Sequence, residues 1–466
     1  MLRVLTISSL SVALTACSGL IKTKSQDSAS IKTPGNWHAV SKGQHGKIST
    51  GWLSDFDSPE MKKFVHEAVS NNPSLNASAA RLRATREGTI GAYADLLPRV
   101  SASSSGSRSR SPDEPGPSVT SSSYNLSLNA SWEPDIWGRL RDLQQANYAG
   151  YLASVEDYRA ARLSLAANTA KAWCNLISAE SQLELARVTL ASFQKNNSIV
   201  ERNYKAGVPG TRALAVQLSR NNVASAQRSV SSRLQDRNQA ARQLEQLVGR
   251  YPAGLVKGAK ELPRMKENIP SDIPASLLLR RPDLAAAQYQ VFQSAKIADA
   301  SQKNLLPSIS LTSRASTSSR RFGDIFNPQY IASSVAASLA QTVYQGGELK
   351  ANARAALDRN RASIHDFSTR AIAAFREVED ALEAERSLKE QEEFLLVEVK
   401  QATLAERSAE LDYSEGVDDS GILEILESQR RANNARASLI ALRNRRIQNR
   451  IDLHLALGGD FHTESK

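Results

Sequence analysis

The chain has 466 residues and carries a net charge of +11, from 59 basic and 48 acidic side chains, with a pI near 9.6. That length could hold two to four ordinary domains. The basic surplus does not point to nucleic acid, because arginines in stretches such as 430–450 alternate with apolar positions and lack stacking aromatics, as on a solvated helix face. An enzyme is disfavoured by the motifs. The histidines at 38, 45, 66, 365, 454 and 462 have no metal-ligand spacing, and neither a Gly-rich phosphate loop nor a Gly-x-Ser-x-Gly elbow occurs. No catalytic residue, metal or cofactor is therefore expected.

Residues 1–16 have the form of a secretory signal, with Arg3 followed by an apolar run from Val4 to Ala13. The ending Leu14-Thr15-Ala16-Cys17 resembles a bacterial lipobox, which implies cleavage before Cys17 and lipid on that cysteine; Ser18 in place of Asp implies sorting to the outer membrane. Cys174, in an apolar helical pattern, is then a lone core thiol. After Cys17 no run of about 18 apolar residues exists, so a transmembrane helix is not available and a closed barrel is the one remaining way to cross a membrane.

Residues 17–57 read as a tether, and a helical pattern follows from about Ser58 to Asp95 (Met61, Phe64, Val65, Val69). After Leu96-Leu97-Pro98 the period changes to two. Tyr124, Leu126, Leu128, Ala130 and Trp132 alternate with polar residues, predicting strands over about 99–110 and 122–133 around an exposed turn at Ser111–Pro117. Next come a helix over about Arg139–Lys205, a break at Ala206-Gly207-Val208-Pro209-Gly210, and a second helix closed by Gly249 as a C-cap. A linker, 251–275, separates this first unit (58–250) from a second (276–459), and 460–466 form a tail.

The second unit repeats the first. Leu305-Leu306-Pro307 lies 209 residues after Leu96-Leu97-Pro98 (305 − 96). The same offset relates Pro73 and Leu75 to Pro282 and Leu284, Tyr204, Gly207 and Val208 to Tyr413, Gly416 and Val417, Leu214 to Leu423, and Gly249 to Gly458. A gapless register of this length is a duplication. The second hairpin is predicted over about 307–316 and 331–343, and a long helix from about Glu348 to Ser414 carries a seam of Ile364, Phe367, Ala371, Phe375, Val378 and Leu382. Each long helix would measure about 100 Å at 1.5 Å per residue. Each copy reads helix, β-hairpin, very long helix, helix. Four strands cannot close a membrane barrel, which needs at least about eight, so the residues alone predict an oligomeric hollow cylinder, mainly α with a small membrane β part.

The lipobox, Trp132-Glu133-Pro134-Asp135-Ile136-Trp137-Gly138-Arg139, Leu279-Arg280-Arg281-Pro282-Asp283-Leu284, Leu306-Pro307-Ser308-Ile309-Ser310-Leu311 and Tyr413-Ser414-Glu415-Gly416-Val417 together resemble the TolC-like outer-membrane efflux proteins, in their lipoprotein (OprM/NodT) branch. The resemblance covers about residues 10–460; Pro134 departs from it and would disturb strand pairing if a strand reached it. It implies a homotrimer with a twelve-stranded β-barrel in the outer membrane, continued into the periplasm by a long α-helical barrel. It also implies an exit duct for small molecules, docked to a periplasmic adaptor and served by an inner-membrane transporter of RND type. Outer-membrane lipids surround such a duct, and the covalent lipid on Cys17 anchors it. In that frame Gly207, Val208, Gly416 and Val417 are tips that meet the adaptor, or plain turn residues. Asp418 and Asp419 are a periplasmic gate, six carboxylates round one axis, or the N-cap of the following helix. Arg280-Arg281-Pro282-Asp283 reads as a helix N-terminus rather than an ion site. Two other functions fit the frame less well: an outlet for secreted proteins, and a periplasmic lipoprotein that never spans the membrane.

Overall fold

The computed structural model describes residues 51–113, 116–208, 211–265, 280–415 and 422–459. Cys17, Gly416, Val417, Asp418 and Asp419 lie outside the described residues, with the signal segment, the tether up to residue 50 and the tail. The elements are α1 (Pro59–Asn71), α2 (Pro73–Ala94), β1 (Arg99–Asp113), β2 (Gly116–Trp132), α3 (Arg139–Lys205), α4 (Ala213–Leu247), α5 (Pro282–Lys303), β3 (Ser308–Ser319), β4 (Ala332–Ala340), α6 (Glu348–Glu415) and α7 (Ile422–Ala456).

The first helix expected from the sequence is two helices. Ser58 opens α1 by accepting from the Met61 amide at 3.2 Å. Pro73 cannot donate to α1, and Asn72 restarts the chain as α2 by accepting from the amides of Ser74 and Leu75 at 2.9 and 3.1 Å. The strands also differ from expectation. The turn expected at 111–117 is largely strand: β1 runs to Asp113 and β2 starts at Gly116. Pro112 is accommodated because β1 is an edge strand whose register shifts between Ser111 and Asp113, so no ladder bond is asked of it. In the second hairpin β3 continues to Ser319, two short 3₁₀ turns (Phe322–Phe326 and Pro328–Tyr330) follow, and β4 stops at Ala340 rather than 343.

The chain divides into two compact units. One, Ala80–Glu156 with Ala285–Thr369, holds the sheet, an antiparallel meander of order β1-β2-β3-β4. In the same unit, Ala298 packs with Ala356 and Leu357, and Asn360 donates to the Val291 carbonyl and Ser294 Oγ. Asp142 is buried between the ammonium groups of Lys296 and Lys303. The other unit takes in the described parts of Lys32–Ala79, Asp157–Leu284 and Arg370–Lys466. Its core joins Trp52, Phe56, Met61 and Val65 to Leu163, Trp173 and Ile177 of α3, Leu244 of α4 and Ile451 of α7. Cys174 is fully buried there, and burial pushes its thiol up to about 12, as expected of a core residue. Arg450 of α7 bridges Asp55 (3.2 Å) and Glu385 (2.7 Å), fixing the segment before α1. Along α6, Ile364, Ala371, Val378 and Leu382 are buried, and Phe367 and Phe375 half-buried.

The duplication persists at the level of single bonds. Asn72 donates to the Leu247 carbonyl at 2.8 Å; Arg281, its equivalent in the second copy, donates to the Ala456 carbonyl at 3.1 Å. In each copy a side chain just before a proline-started helix thus closes the last turn of the copy's final helix. Gly249 and Gly458 end those helices at φ +78° and +74°. Both complete Schellman caps: the amides of Gly249 and Arg250 donate to Gln246 and Glu245, and those of Gly458 and Gly459 to Leu455 and His454.

Candidate functional site: a two-faced sheet and its helical continuations

The register of the sheet sorts its side chains by chemistry. Residues directly opposite in antiparallel strands share a face, so Val100, Ala130, Ser313 and Val335 form one row, and Ala102, Leu128, Ala315 and Ser333 the next. Leu126, Ile309, Leu311, Ala337 and Leu339 extend this apolar face. The opposite face is almost wholly hydroxyl and amide: Ser101, Asn129, Arg314 and Ser334 in one row, Ser103, Ser127 and Ser316 in another. Ser103 and Ser127 hydrogen-bond to each other at 2.8 Å, and Asn129 donates to Ser127.

The apolar face is bounded by aromatics. Trp132 stands at one end of β2 and Tyr124 eight positions away, about 27 Å along the strand, close to the height of an apolar band in a membrane barrel. Tyr124 meets Phe322 edge-to-face at 5.6 Å, and Phe322 meets Phe326 at 5.9 Å, so the 3₁₀ turn after β3 adds two rings to that rim. Past Tyr124 the same face carries Arg108 and Arg110, opposite Ser122 and Thr120. Both outer strands of the sheet, β1 and β4, keep one unpaired edge.

At the other end of the sheet two junctions turn strand into helix. Trp132 donates through its indole N–H to the Leu96 carbonyl at 2.9 Å; Gln341, 209 residues on, donates to the Leu305 carbonyl at 3.2 Å. Strand pairing ends at Trp132, so Pro134 falls outside the ladder and disturbs nothing. Arg139 donates through one nitrogen, Nη2, to both carboxylate oxygens of Glu133 at 2.7 and 2.9 Å. Asp135 accepts from the amides of Leu140 and Arg141 at 3.0 and 2.9 Å, capping α3. Burial alone would raise the Asp135 carboxyl, but those two amides and the Arg141 guanidinium hold it below its ordinary range. Gly138 and Gly347 take φ +73° and +85° one residue before α3 and α6, where a β-carbon would be strained.

Of the residues expected at the tips, Gly207 and Val208 are described. Gly207 has φ +67°, its amide donates to the Tyr204 carbonyl and the Val208 amide to Asn203, a third Schellman cap; Val208 is exposed. Near this end of α3 lies a cavity of about 890 Å³ whose wall includes Asn196, Val200, Arg407, Glu410 and Ile425. Buried Gln429 of α7 donates to Glu410 of α6 at 2.9 Å beside it. In the first copy the same pair is Glu201 and Arg220, an ion pair at 2.8 Å. Arg281, expected to mark a helix N-terminus, does so, since Pro282 begins α5 and the Leu284 amide donates to Asp283. It also binds Asp283 and Glu377 while almost wholly buried, a role the sequence signalled only through its match to Asn72.

A family model described as outer membrane efflux protein matches residues 64–250 and 273–459, the two copies of the duplication. The chain is 29% identical over 419 residues to the cation efflux system protein CusC of Escherichia coli O6:H1, covering 89% of each chain. It is 28% identical over 416 residues to the probable outer membrane lipoprotein SilC of Salmonella typhimurium, covering 88% of each. Its fold is similar to the MtrE outer membrane channel of Neisseria gonorrhoeae, with a TM-score of 0.81, 28% identity, and 96% and 98% of the two chains covered.

Proposed function

The chain belongs to the outer membrane efflux protein family, and from that premise we propose that it is the homotrimeric exit duct of a tripartite pump. Being an outer-membrane efflux channel, it supplies a path; the energy belongs to the transporter that loads it. The observation that carries the proposal is the sheet. It has four strands, one apolar and one polar face, and an unpaired edge on each side. An open edge in lipid leaves backbone N–H and C=O groups unsatisfied. Three copies joined edge to edge make twelve strands, within the range of membrane barrels. The apolar face then meets lipid and the hydroxyl face lines the lumen, with α3, α4, α6 and α7 continuing the path into the periplasm.

The partners we infer are a periplasmic adaptor meeting the tips at Gly207, Val208, Gly416 and Val417, and an inner-membrane transporter of RND type behind it; the efflux names of the relatives support a pump of this kind. Lipid on Cys17 would hold the chain at the membrane, a reading supported by the lipoprotein naming of one relative. Asp418 and Asp419 would close the periplasmic end. The test is the mass of the purified protein in detergent together with its conductance in a planar bilayer. A trimer with small conductance that grows in Asp418→Asn/Asp419→Asn supports the duct and its gate. A monomer without conductance overturns the barrel, and a trimer whose double variant conducts as before overturns the gate.

A further inference from the structure

The wet face of the sheet is nearly uncharged, and Arg314 breaks that uniformity. Its row runs Ser101, Asn129, Arg314, Ser334, and the rows on either side supply Ser103, Ser127 and Ser316, and Ser131, Thr312 and Ala336. Every neighbour on that face is short except Arg99, one row away at the start of β1. The guanidinium is exposed, and among the described residues no carboxylate pairs with it. Within the strands the charged residues are Arg99, Arg108, Arg110, Arg314 and Asp113, so cations dominate, and no acid stands on the rows around Arg314. The duplicated frame does not require this charge, because the equivalent position in the first copy (314 − 209) is Ser105.

Depth makes the residue informative. Asn129, directly across from Arg314, lies between Ala130 and Leu128 of the apolar band, so Arg314 sits well inside the band's height but on the opposite face. On the lipid side at that depth an arginine costs about 2–4 kcal/mol; on the lumen side it is hydrated and projects above a lawn of serine. Resting on the trimeric-barrel reading, we propose that Arg314 forms a cationic ring inside the barrel that draws anionic solutes, those bearing carboxylate or sulfonate groups, through the outer-membrane part of the duct. The ring is separate from the acidic residues assigned to the periplasmic gate, and opposite to them in sign.

The test is the reversal potential of the full-length protein in planar bilayers under a potassium chloride gradient. Arg314→Ala should lower the chloride-to-potassium permeability ratio relative to wild type by about fivefold, the weight of one close charge contact in water. Arg314→Lys should retain the wild-type ratio, and Arg314→Glu should shift it further toward cations than Arg314→Ala. Thiol labelling keeps this apart from the barrel reading. Arg314→Cys should react with an anionic, membrane-impermeant methanethiosulfonate added from the outer side, whereas Ala315→Cys, on the lipid face, should not; Cys174 is buried and contributes no signal. Labelling at Arg314→Cys alone, with reversal potentials unchanged across the series, overturns the anion ring and leaves the barrel standing. Equal labelling at both positions overturns the barrel and the ring with it.

Discussion

Replacing Glu245 tests how the chain is held where the first repeat ends. The carboxylate is 3% exposed and accepts from the amides of Gly254, Leu255 and Val256 at 2.6, 2.8 and 3.1 Å. From the other side Arg237 donates to the carbonyls of Gly254 and Val256 at 2.7 and 2.6 Å, and Glu180 accepts from both Arg237 and the Gly258 amide. A buried amide left without an acceptor costs roughly 1–3 kcal/mol. Leu255 is exposed, so the segment can lift part of its backbone into water. Glu245→Ala should therefore cost about 2–4 kcal/mol rather than the full sum, and Glu245→Gln, which keeps one acceptor oxygen, about half as much. Burial would raise the Glu245 carboxyl, but the three amides and Arg237 hold it below the usual carboxylate range. A depressed folded-state value contributes stability that is fully present above the unfolded value of about 4.3 and is lost as the pH falls through the folded value. Wild type should accordingly approach Glu245→Gln in strong acid, and its lead over Glu245→Ala should narrow without vanishing. The assay is thermal unfolding in detergent across pH, with amide exchange at 254–256. Equal stability at neutral pH with unchanged exchange there refutes the reasoning.

Two further outcomes follow from the repeat. Gly207→Ala, where a β-carbon meets open space, should cost about 1 kcal/mol for its positive φ alone. Gly249→Ala should cost at least about 1 kcal/mol more, because its β-carbon would lie 2.8 Å from the Asn71 carbonyl oxygen; equal melting temperatures for the two variants would show that this packing is not tight. Arg281→Ala should destabilise by about 2–3 kcal/mol, mostly through the orphaned Ala456 carbonyl, since Asp283 and Glu377 are half exposed and water screens them. Arg281→Asn, which copies Asn72, should recover part of that loss in chemical denaturation, and no recovery would break the equivalence of the two positions.

Much of this architecture was legible because it rests on local rules. Gly249 and Gly458 announced helix ends since few other residues adopt positive φ cheaply, and the long helices ran where Gly and Pro are scarce. The apolar strand face was legible from Tyr124 to Trp132. The strand ends were not: Thr120 and Ser121 read as loop until β1 supplies the ladder, and Pro112 reads as a turn until its edge position is known. Arg314 was passed over for a related reason, since its meaning lies in Asn129 and Ser334 across the register. Glu245 carried no signal of its own and Arg281 read only as part of a helix N-terminus, because the backbone groups they hold are brought near by the tertiary fold alone.

The sheet's order has a consequence for how the molecule is made. Within each hairpin the strands close over short loops, as from Ser103 to Ser127. The bond line joining β2 to β3 instead links Leu126 to Thr317, 191 residues apart (317 − 126), with α3, α4 and α5 between them. Loop-closure entropy sets that pairing late. Until it forms, two hairpins carry four bare edges, and hydrocarbon tolerates none of them. On the barrel reading proposed above, that pairing removes only two of the four, and the bare edges of β1 and β4 wait for neighbouring copies to close them.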